Sequence, residues 1–219
     1  MSFNFIAPLY DSLAALMFGH TLKLAGQWCV ERVPPHSRVL VLGGGTGTLL
    51  PRLLQTNPQR VLYLEASDTM LHMAQQKIGK SSANERIVFR HGTETDLEQG
   101  ERYDAILLPF VLDLYPESTL TGRLLPCLLE HLTEPGALLI CDFDQPKTTW
   151  QRLQLWMMIR FFRVVACIDA SRLPNWPQVL QQAGLVETQS ATLRRGQIRM
   201  GSWQRVIPAP APGTPPATR

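Results

Sequence analysis

The chain has 219 residues, of which 45% are hydrophobic and 18% charged, so it can form one globular domain with a sizeable core. Its formal net charge of +3 is too small to indicate a nucleic-acid partner by itself. Its four cysteines are widely separated and form no C-x-x-C pair, so they indicate neither a metal site nor a disulfide framework. They are Cys29, Cys127, Cys141 and Cys167.

The first part of the chain predicts helices and no export signal. Met1 to Leu16 lacks the basic start of a signal peptide, and no apolar run in the chain reaches the length of a membrane span. We therefore expect a cytoplasmic protein with reduced thiols and no bound metal. Residues 8–32 carry leucines at helical spacing, with a break near Gly19, and end before a proline pair. This pattern predicts a helical N-terminal cover over residues 1–33.

The strongest signal is an apolar strand followed by a glycine-rich turn and a helix. Val39 to Leu42 is wholly apolar, as expected for a buried parallel strand, and Gly43, Gly45 and Gly47 follow it. Glycine allows positive φ and lets a ligand approach the backbone closely. The leucines from Leu49 onward have helical spacing, so the N-terminal amides of that helix face the loop. The sequence therefore predicts a nucleotide-cofactor site at the carboxyl edge of a sheet.

The spacing of this loop narrows the choice of cofactor. A dinucleotide fingerprint requires G-x-G-x-x-G, and its last glycine is missing in both possible registers. A phosphate-binding loop requires a lysine, and none lies between Lys23 and Lys77. The next predicted strand ends on Glu65, about 20 residues past the glycines, where a carboxylate can accept hydrogen bonds from both ribose hydroxyls. The missing last glycine disfavours a nicotinamide oxidoreductase, and the missing lysine disfavours a nucleotide triphosphatase.

The G-x-G-x-G loop together with Glu65 resembles the class I S-adenosylmethionine (SAM) dependent methyltransferases. Two further stretches resemble the ubiquinone/menaquinone C-methyltransferases and their broad relatives. One is the opening segment from Phe5 to Asp11, and the other is Glu65 to Leu71, which follows the pattern acid-x-Ser-x-x-Met-Leu. The resemblance covers about residues 3–143.

This resemblance implies an α/β fold with a doubly wound, mostly parallel seven-stranded sheet and a closing antiparallel hairpin. It also implies SAM as the cofactor. Tyr10 would lie near the methionine end of SAM, or would only anchor the first helix to the domain. Met70 would pack on the adenine, or would belong to the core. The loop and the following strand end would hold the cofactor through Gly43, Gly44, Gly45, Gly47, Glu65 and Ala66.

Two positions depart from the pattern of these relatives. The third predicted strand, residues 86–91, leads to Thr93, where relatives commonly have an aspartate that binds the adenine amino group. Adenine recognition then falls to the Thr93 hydroxyl, to backbone groups or to Glu94. In the first strand, Val41 stands where relatives usually have an acidic residue that helps to hold the amino-acid part of SAM.

The fourth predicted strand, residues 103–108, brings the next candidates to the carboxyl edge of the sheet. Pro109 and Phe110 follow it directly, where the methyl group must be presented. Asp113 is a charge in an apolar run, so it either caps a helix over residues 114–131 or faces the acceptor as a general base. His20 is the second candidate base, because it lies in the segment expected over the pocket. The Asn/Asp-Pro-Pro-Tyr motif is missing, which disfavours methylation of amides and exocyclic amines.

The last third of the chain completes the alternation of helices and strands. The fifth strand is predicted at residues 137–143, and Asp142 and Asp144 lie at its carboxyl edge. We favour a solvated loop over a substrate contact for these two aspartates. A helix and two strands then close the sheet, which gives one domain over residues 1–206. The proline-rich residues 207–219 are predicted to be a disordered tail.

Residues 150–165 interrupt that alternation and lie within a predicted cap at residues 145–175. At 100° per residue its three arginines share one face, while most of the remaining surface is apolar. Three interpretations remain open at this stage. The helix lines a pocket for a lipophilic acceptor, lies on a membrane surface as a peripheral contact, or forms an ordinary lid or dimer contact.

The sequence thus predicts a SAM-dependent methyltransferase that acts on a small, lipophilic or aromatic acceptor. The alternative is a methyltransferase-like module that binds SAM or its product without turnover and acts through a protein or membrane partner. We interpret the arginines of the closing hairpin as a solvated surface and expect no nucleic-acid partner. These arginines are Arg194, Arg195, Arg199 and Arg205.

Overall fold

The computed structural model describes residues 18–79, 85–165 and 172–206, without the side chains at positions 158, 159 and 161–165. Seven strands of this chain form one sheet. Their bounds are β1 Arg38–Leu42, β2 Arg60–Glu65, β3 Ile87–His91, β4 Tyr103–Pro109, β5 Leu132–Phe143, β6 Leu185–Leu193 and β7 Ile198–Arg205.

The strand order of the sheet is β3-β2-β1-β4-β5-β7-β6. The first five strands pair in parallel, and β7 runs antiparallel to both β5 and β6. The predicted fold class, a doubly wound sheet with a closing antiparallel hairpin, is confirmed. The chain leaves β1 toward β2 on one side and later returns to β4 on the other, so the crevice between the carboxyl ends of β1 and β4 is where such sheets bind ligands.

Helices cover the two faces of the sheet. Gly19, with φ +60°, separates Phe18 from the first helix, so the predicted break is confirmed. The helices are α1 Thr21–Val30, α2 Leu50–Gln55, α3 Asp68–Ile78, α4 117–131, α5 Thr149–Val165 and α6 Trp176–Gln182. Helix α4 consists of Glu117–Thr119, a π-helical stretch Leu120–Leu124 and Leu125–His131.

Side-chain alternation along the strands builds two hydrophobic layers. Val39 and Val41 of β1 belong to one layer, and Leu40 and Leu42 belong to the other. Because successive strand residues point to opposite faces, a run that is apolar at every position must be covered on both sides. This is why the central strands carry no polar alternation, and it fixes their loops at the edge of the sheet.

Several predictions about the ends of the chain fall outside the described residues. These are Tyr10, most of the predicted N-terminal cover at residues 1–33, and the proline-rich tail from residue 207. The division into one domain at residues 1–206 remains a prediction. In the described ranges, no helix combines the length and the apolar character needed to cross a membrane.

Candidate active site

The glycine loop turns sharply at the carboxyl end of β1. Gly43, Gly45 and Gly47 have φ of +67°, +62° and +77°, a region that side chains with a Cβ rarely adopt. A Cβ at Gly44 would lie 2.5 Å from the ring of Tyr63. The Tyr63 hydroxyl donates a hydrogen bond to Gly45 O at 2.9 Å, so β2 supports the loop from below.

Glu65, at the end of β2, is buried beside this loop with 5% of its surface exposed. Its Oε2 accepts a hydrogen bond from Gly45 N, and its Oε1 accepts one from Ser67 N, both at 2.9 Å. Burial raises the pKa of the Glu65 carboxyl, and these backbone donors lower it only in part. A carboxylate has about four acceptor positions, so about two remain for the two hydroxyls of a ribose.

The space over the loop suits a bound nucleoside. A Cβ at Gly45 would meet only Met70 Sδ within 4 Å, at 3.9 Å, among the described residues. Met70 is buried and follows Ser67, whose Oγ accepts a hydrogen bond from Met70 N at 3.2 Å and so caps α3. Ala66 is exposed between the buried residues Glu65 and Ser67, so these residues fit the adenosine part of SAM.

Thr93 and Glu94 differ in the hydrogen bonds that their side chains make within the protein. Thr93 caps the short helix Glu94–Asp96, and its hydroxyl lies 2.9 Å from Thr95 Oγ1. The Glu94 side chain is fully buried. Arg123 Nε lies 2.8 Å from Glu94 Oε1, but neither Glu94 oxygen accepts a hydrogen bond from any described residue. Glu94 thus has a charge partner in Arg123 but no hydrogen bond to its buried oxygens, which favours it over Thr93 as the partner of an adenine amino group.

The loop after β4 is strained where the methyl acceptor is expected. Phe110 has φ +57°, which is unusual for a bulky residue. Strained backbone conformations of this kind cluster at functional sites. Its N–H donates to Cys141 O at 2.8 Å, which holds the loop against β5. Pro109 and Phe110 are both half-buried, so each presents part of its surface at the carboxyl edge.

Asp113 and Asp142 form a buried pair of carboxyl groups at this edge. Asp142 Oδ2 accepts hydrogen bonds from Leu112 N at 2.8 Å and Asp113 N at 3.3 Å, and Oδ1 accepts one from Phe143 N at 2.7 Å. Asp113 Oδ1 is buried and has no hydrogen-bond partner in the described part of the chain. Burial raises the pKa of Asp113 from 3.8 to about 7. Burial and the neighbouring Asp113 charge raise the pKa of Asp142.

Two sequence predictions are corrected here. Asp113 does not cap a helix: it lies inside the short helix Leu112–Leu114, and Pro116 precedes the start of α4. Asp142 does not lie in a solvated loop: it is 0% exposed, because β7 pairs with β5 up to its end and the Leu112–Asp113 backbone covers its carboxylate. Asp144, which was grouped with it, is half-buried.

An aromatic wall lies at the carboxyl ends of β4 and β5. We use this name for Phe18, Phe110 and Phe143. The Phe143 ring lies 5.4 Å from the Phe110 ring and 5.1 Å from the Phe18 ring, between centroids. Sequence reasoning selected Phe110 but missed the other two, since they are distant in the chain. The position of Phe143 at the end of a predicted strand was the available signal.

The remaining predicted residues are not tested by these contacts. His20 is exposed just before α1 and donates no hydrogen bond to Asp113 Oδ1, so its role as a base stays a prediction. Val41 is buried in the core, so no side-chain carboxylate from this position reaches the loop.

A glycine loop after the first strand, a carboxylate at the end of the second and an antiparallel seventh strand define the class I SAM-dependent methyltransferase architecture. The comparison with known families agrees, since residues 39–136 match the family described as a methyltransferase domain. Residues 39–136 thus match a methyltransferase domain, and the sheet has the class I fold, whose methyl donor is SAM.

Individual relatives are distant. The ubiquinone/menaquinone biosynthesis C-methyltransferase UbiE of Vibrio cholerae is 25% identical over 149 residues, which is 66% of this chain and 56% of the relative. The match therefore spans about half the length of that protein. The mitomycin 7-O-methyltransferase MmcR aligns with a TM-score of 0.67 at 18% identity, over 94% of this chain and 61% of the other. DhpI, solved as a complex with SAH, aligns with a TM-score of 0.67 at 14% identity over 93% of both chains.

Proposed function

We propose that the protein transfers a methyl group from SAM to an oxygen or carbon atom of a small, lipophilic or aromatic acceptor. The observation that carries this proposal is the buried Asp113 carboxyl just after β4, whose Oδ1 has no hydrogen-bond partner among the described residues. The aromatic wall at the ends of β4 and β5 would pack against a lipophilic acceptor. The relatives support a small-molecule acceptor, because they are named as a C-methyltransferase of quinone biosynthesis and a mitomycin O-methyltransferase.

Each proposed cofactor residue binds a different part of the SAM molecule. Bound SAM supplies a methyl group on a sulfonium, already activated for in-line displacement. In the proposal Glu65 accepts the ribose hydroxyls and Glu94 accepts the adenine amino group, while Met70 packs on the adenine ring. The backbone of the glycine loop would bind the amino-acid part of SAM, and Tyr10 is assigned to the same part of the cofactor. Pro109 and Phe110 border the place where the methyl group meets the acceptor.

Asp113 is the proposed general base. A group with pKa near the working pH is both deprotonated often enough and basic enough to take a proton, and burial brings Asp113 to about 7. The acceptor oxygen or ring carbon would take the methyl group as the methyl–sulfur bond of SAM breaks and SAH is left. The proton of the acceptor O–H bond, or that of the ring C–H bond after methylation, would pass to the Asp113 carboxylate. Asp142 fixes the backbone of Leu112 and Asp113, so the base is held in place. The aromatic wall excludes water from the reacting atoms.

The alternative is a domain that binds SAM or SAH without turnover and acts through a partner. Its supporting observation is Val41, which removes a carboxylate that relatives use to hold the amino-acid part of SAM. Turnover of any acceptor would remove this alternative.

An acceptor screen with methyl-labelled SAM tests the proposal. Phenols, quinols and other hydroxylated aromatic compounds are incubated with wild-type protein, Asp113→Asn, and the exposed control Glu130→Gln. We expect labelled product with wild type and control, and at least a hundredfold lower kcat for Asp113→Asn with SAM affinity kept within about twofold. SAM binding without any product would instead support the non-catalytic module. Equal turnover by Asp113→Asn would exclude this base.

A further inference from the structure

Helix α5 exposes a row of large apolar side chains. Trp150, Leu153, Trp156 and Met157 are 68%, 46%, 56% and 44% exposed. At 100° per residue they occupy an arc of about 120° on the helix. Leu155 lies on the other side and is buried in the core, so the helix is attached to the domain by the opposite face.

Basic residues accompany this row. Residues 145–165 contain no Asp or Glu, and Arg152 and Arg160 are exposed on the same side of the helix. The Arg160 guanidinium lies 5.5 Å from the centre of the Trp156 ring. The face is therefore cationic and aromatic at once, the combination by which helices lie in the interface of an anionic membrane.

The turn between β6 and β7 extends this cationic surface. Gln151 Nε2 donates to Arg194 O at 3.4 Å, and Gln197 Nε2 donates to Gln154 Oε1 at 3.2 Å. These bonds place the turn Arg194–Gly196 beside the first turns of α5. A Cβ at Gly196 would lie 2.8 Å from Lys147 Nζ, so the lysine also reaches the turn.

We infer that this surface docks on an anionic lipid bilayer. We call it the α5 face, and its members are Lys147, Trp150, Arg152, Leu153, Trp156, Met157, Arg160 and Arg195. Charge complementarity favours the bilayer over a second copy of the chain, because a twofold contact would bring like-charged arginines together. The apolar side chains between the arginines favour it over nucleic acid, since Leu153 and Met157 offer nothing to a phosphate backbone.

The turn Arg194–Gly196, beside the α5 face, also contacts the candidate active site. The Arg194 guanidinium lies 5.3 Å from the centre of the Phe18 ring, and Phe18 belongs to the aromatic wall. A lipophilic acceptor dissolved in the bilayer would thus reach the protein close to the aromatic wall that is proposed to receive it. This consequence rests on the proposed function, whereas the docking itself does not.

Vesicle sedimentation with the full chain tests the inference. The vesicles are rich in phosphatidylglycerol or contain phosphatidylcholine alone. One double variant is Trp150→Ala with Trp156→Ala, and a second is Arg152→Glu with Arg160→Glu. Their matched controls are Leu24→Ala with Val186→Ala, which are exposed apolar residues elsewhere, and Lys23→Glu with Arg60→Glu, which change the net charge equally.

We expect wild type and both controls to bind anionic vesicles, and each face variant to lose at least about tenfold in partition coefficient. Brominated lipids should quench the tryptophan fluorescence of wild type, and should quench Trp150→Ala with Trp156→Ala far less. Of the three remaining tryptophans, Trp176 and Trp203 are buried, and Trp28 is half-buried beneath Arg32, away from the α5 face. Unchanged SAM affinity and thermal melts show that the variants are folded, and separate this test from the proposed function.

Four results would overturn the inference. Wild type could fail to bind anionic vesicles, or the control variants could lose as much binding as the face variants. Sedimentation velocity could instead show a dimer that the tryptophan variants abolish, with no binding of vesicles. Finally, the arginine variants could lose affinity for single-stranded RNA and not for vesicles.

Discussion

Asp113 and Asp142 illustrate how position, not residue type, assigns different tasks to two aspartates. Asp142 accepts three backbone hydrogen bonds, which do not offset the burial and the neighbouring Asp113 charge that raise its pKa. Asp113 has a buried oxygen with no described partner. Because two like charges in a dry site disfavour each other, the pair holds one negative charge most readily near neutral pH. Asp142 thus holds the loop, while Asp113 can exchange a proton.

The pH dependence of stability should report the Asp113 environment. Its folded pKa is about 7, above the ordinary 3.8, so its contribution to stability is fully present below 3.8 and is lost as the pH rises through about 7. Asp113→Asn should therefore reduce the loss of unfolding free energy between about pH 5 and pH 8 by roughly 1–3 kcal/mol. Urea denaturation at both pH values measures this difference. An identical pH dependence in wild type and variant would contradict a buried, titrating Asp113.

Asp142→Asn should separate positioning from catalysis. The amide nitrogen cannot accept a backbone N–H, so we expect about 1–3 kcal/mol of lost stability. Because burial raises the Asp113 pKa, the acid limb of the pH–kcat profile should stay in place, while kcat falls since the Leu112–Asp113 backbone loses its acceptor. An unchanged kcat would contradict the positioning role, and a moved acid limb would mean that the Asp142 charge sets the Asp113 pKa. Glu130→Gln serves as the control.

At the scale of elements, the glycine loop depends on contact with β2. Gly44→Ala should lower stability by about 1–3 kcal/mol and weaken SAM binding at least tenfold, because a Cβ would lie 2.5 Å from the Tyr63 ring. Gly122→Ala is the matched control, as a Cβ there would have no neighbour within 4 Å and the residue is helical, so we expect no loss of stability. Thermal melts and SAM titrations of both variants measure these effects. Equal behaviour would show that the loop relaxes freely.

The elements themselves were largely predictable from the sequence. The continuous apolar runs of the central strands and the glycines after β1 are local signals, and they placed β1, β2 and β4 to within about a residue. β5 begins earlier than predicted, at Leu132, because a proline and glycine pair reads locally as a turn although Leu132 pairs with Tyr103. The pairing partner, which lies far away in the chain, decides such a boundary.

The site was predictable only where its residues share one local motif. The loop and Glu65 belong to consecutive elements, so their proximity follows from the strand–turn–helix pattern. The burial of Asp142 and the contact of Phe18 with Phe143 arise from segments that are distant in sequence, and no local pattern reports them. Whether Asp113 faces solvent or core likewise depends on β5, which follows it by about thirty residues.

At the scale of the whole molecule, the family match covers only part of the described structure. It ends at residue 136, before the carboxyl end of β5, the helix α5 and the closing hairpin. Except for Tyr10, the proposed cofactor residues lie in the matched part, whereas Phe143 and the α5 face lie beyond it. In the proposal, residues outside the family match therefore take part in selecting the acceptor.

The most direct test of the account is a calorimetric titration of the purified protein. SAM, SAH and, as a contrast, NADH are added to wild type, to Glu65→Gln, and to the exposed control Glu98→Gln. We expect micromolar binding of SAM and SAH but not NADH, and at least a tenfold loss for Glu65→Gln alone, because a charged acceptor of the ribose hydroxyls is removed. If neither SAM nor SAH binds wild type, or if Glu65→Gln binds both unchanged, the assignment of this loop and carboxylate to SAM is wrong.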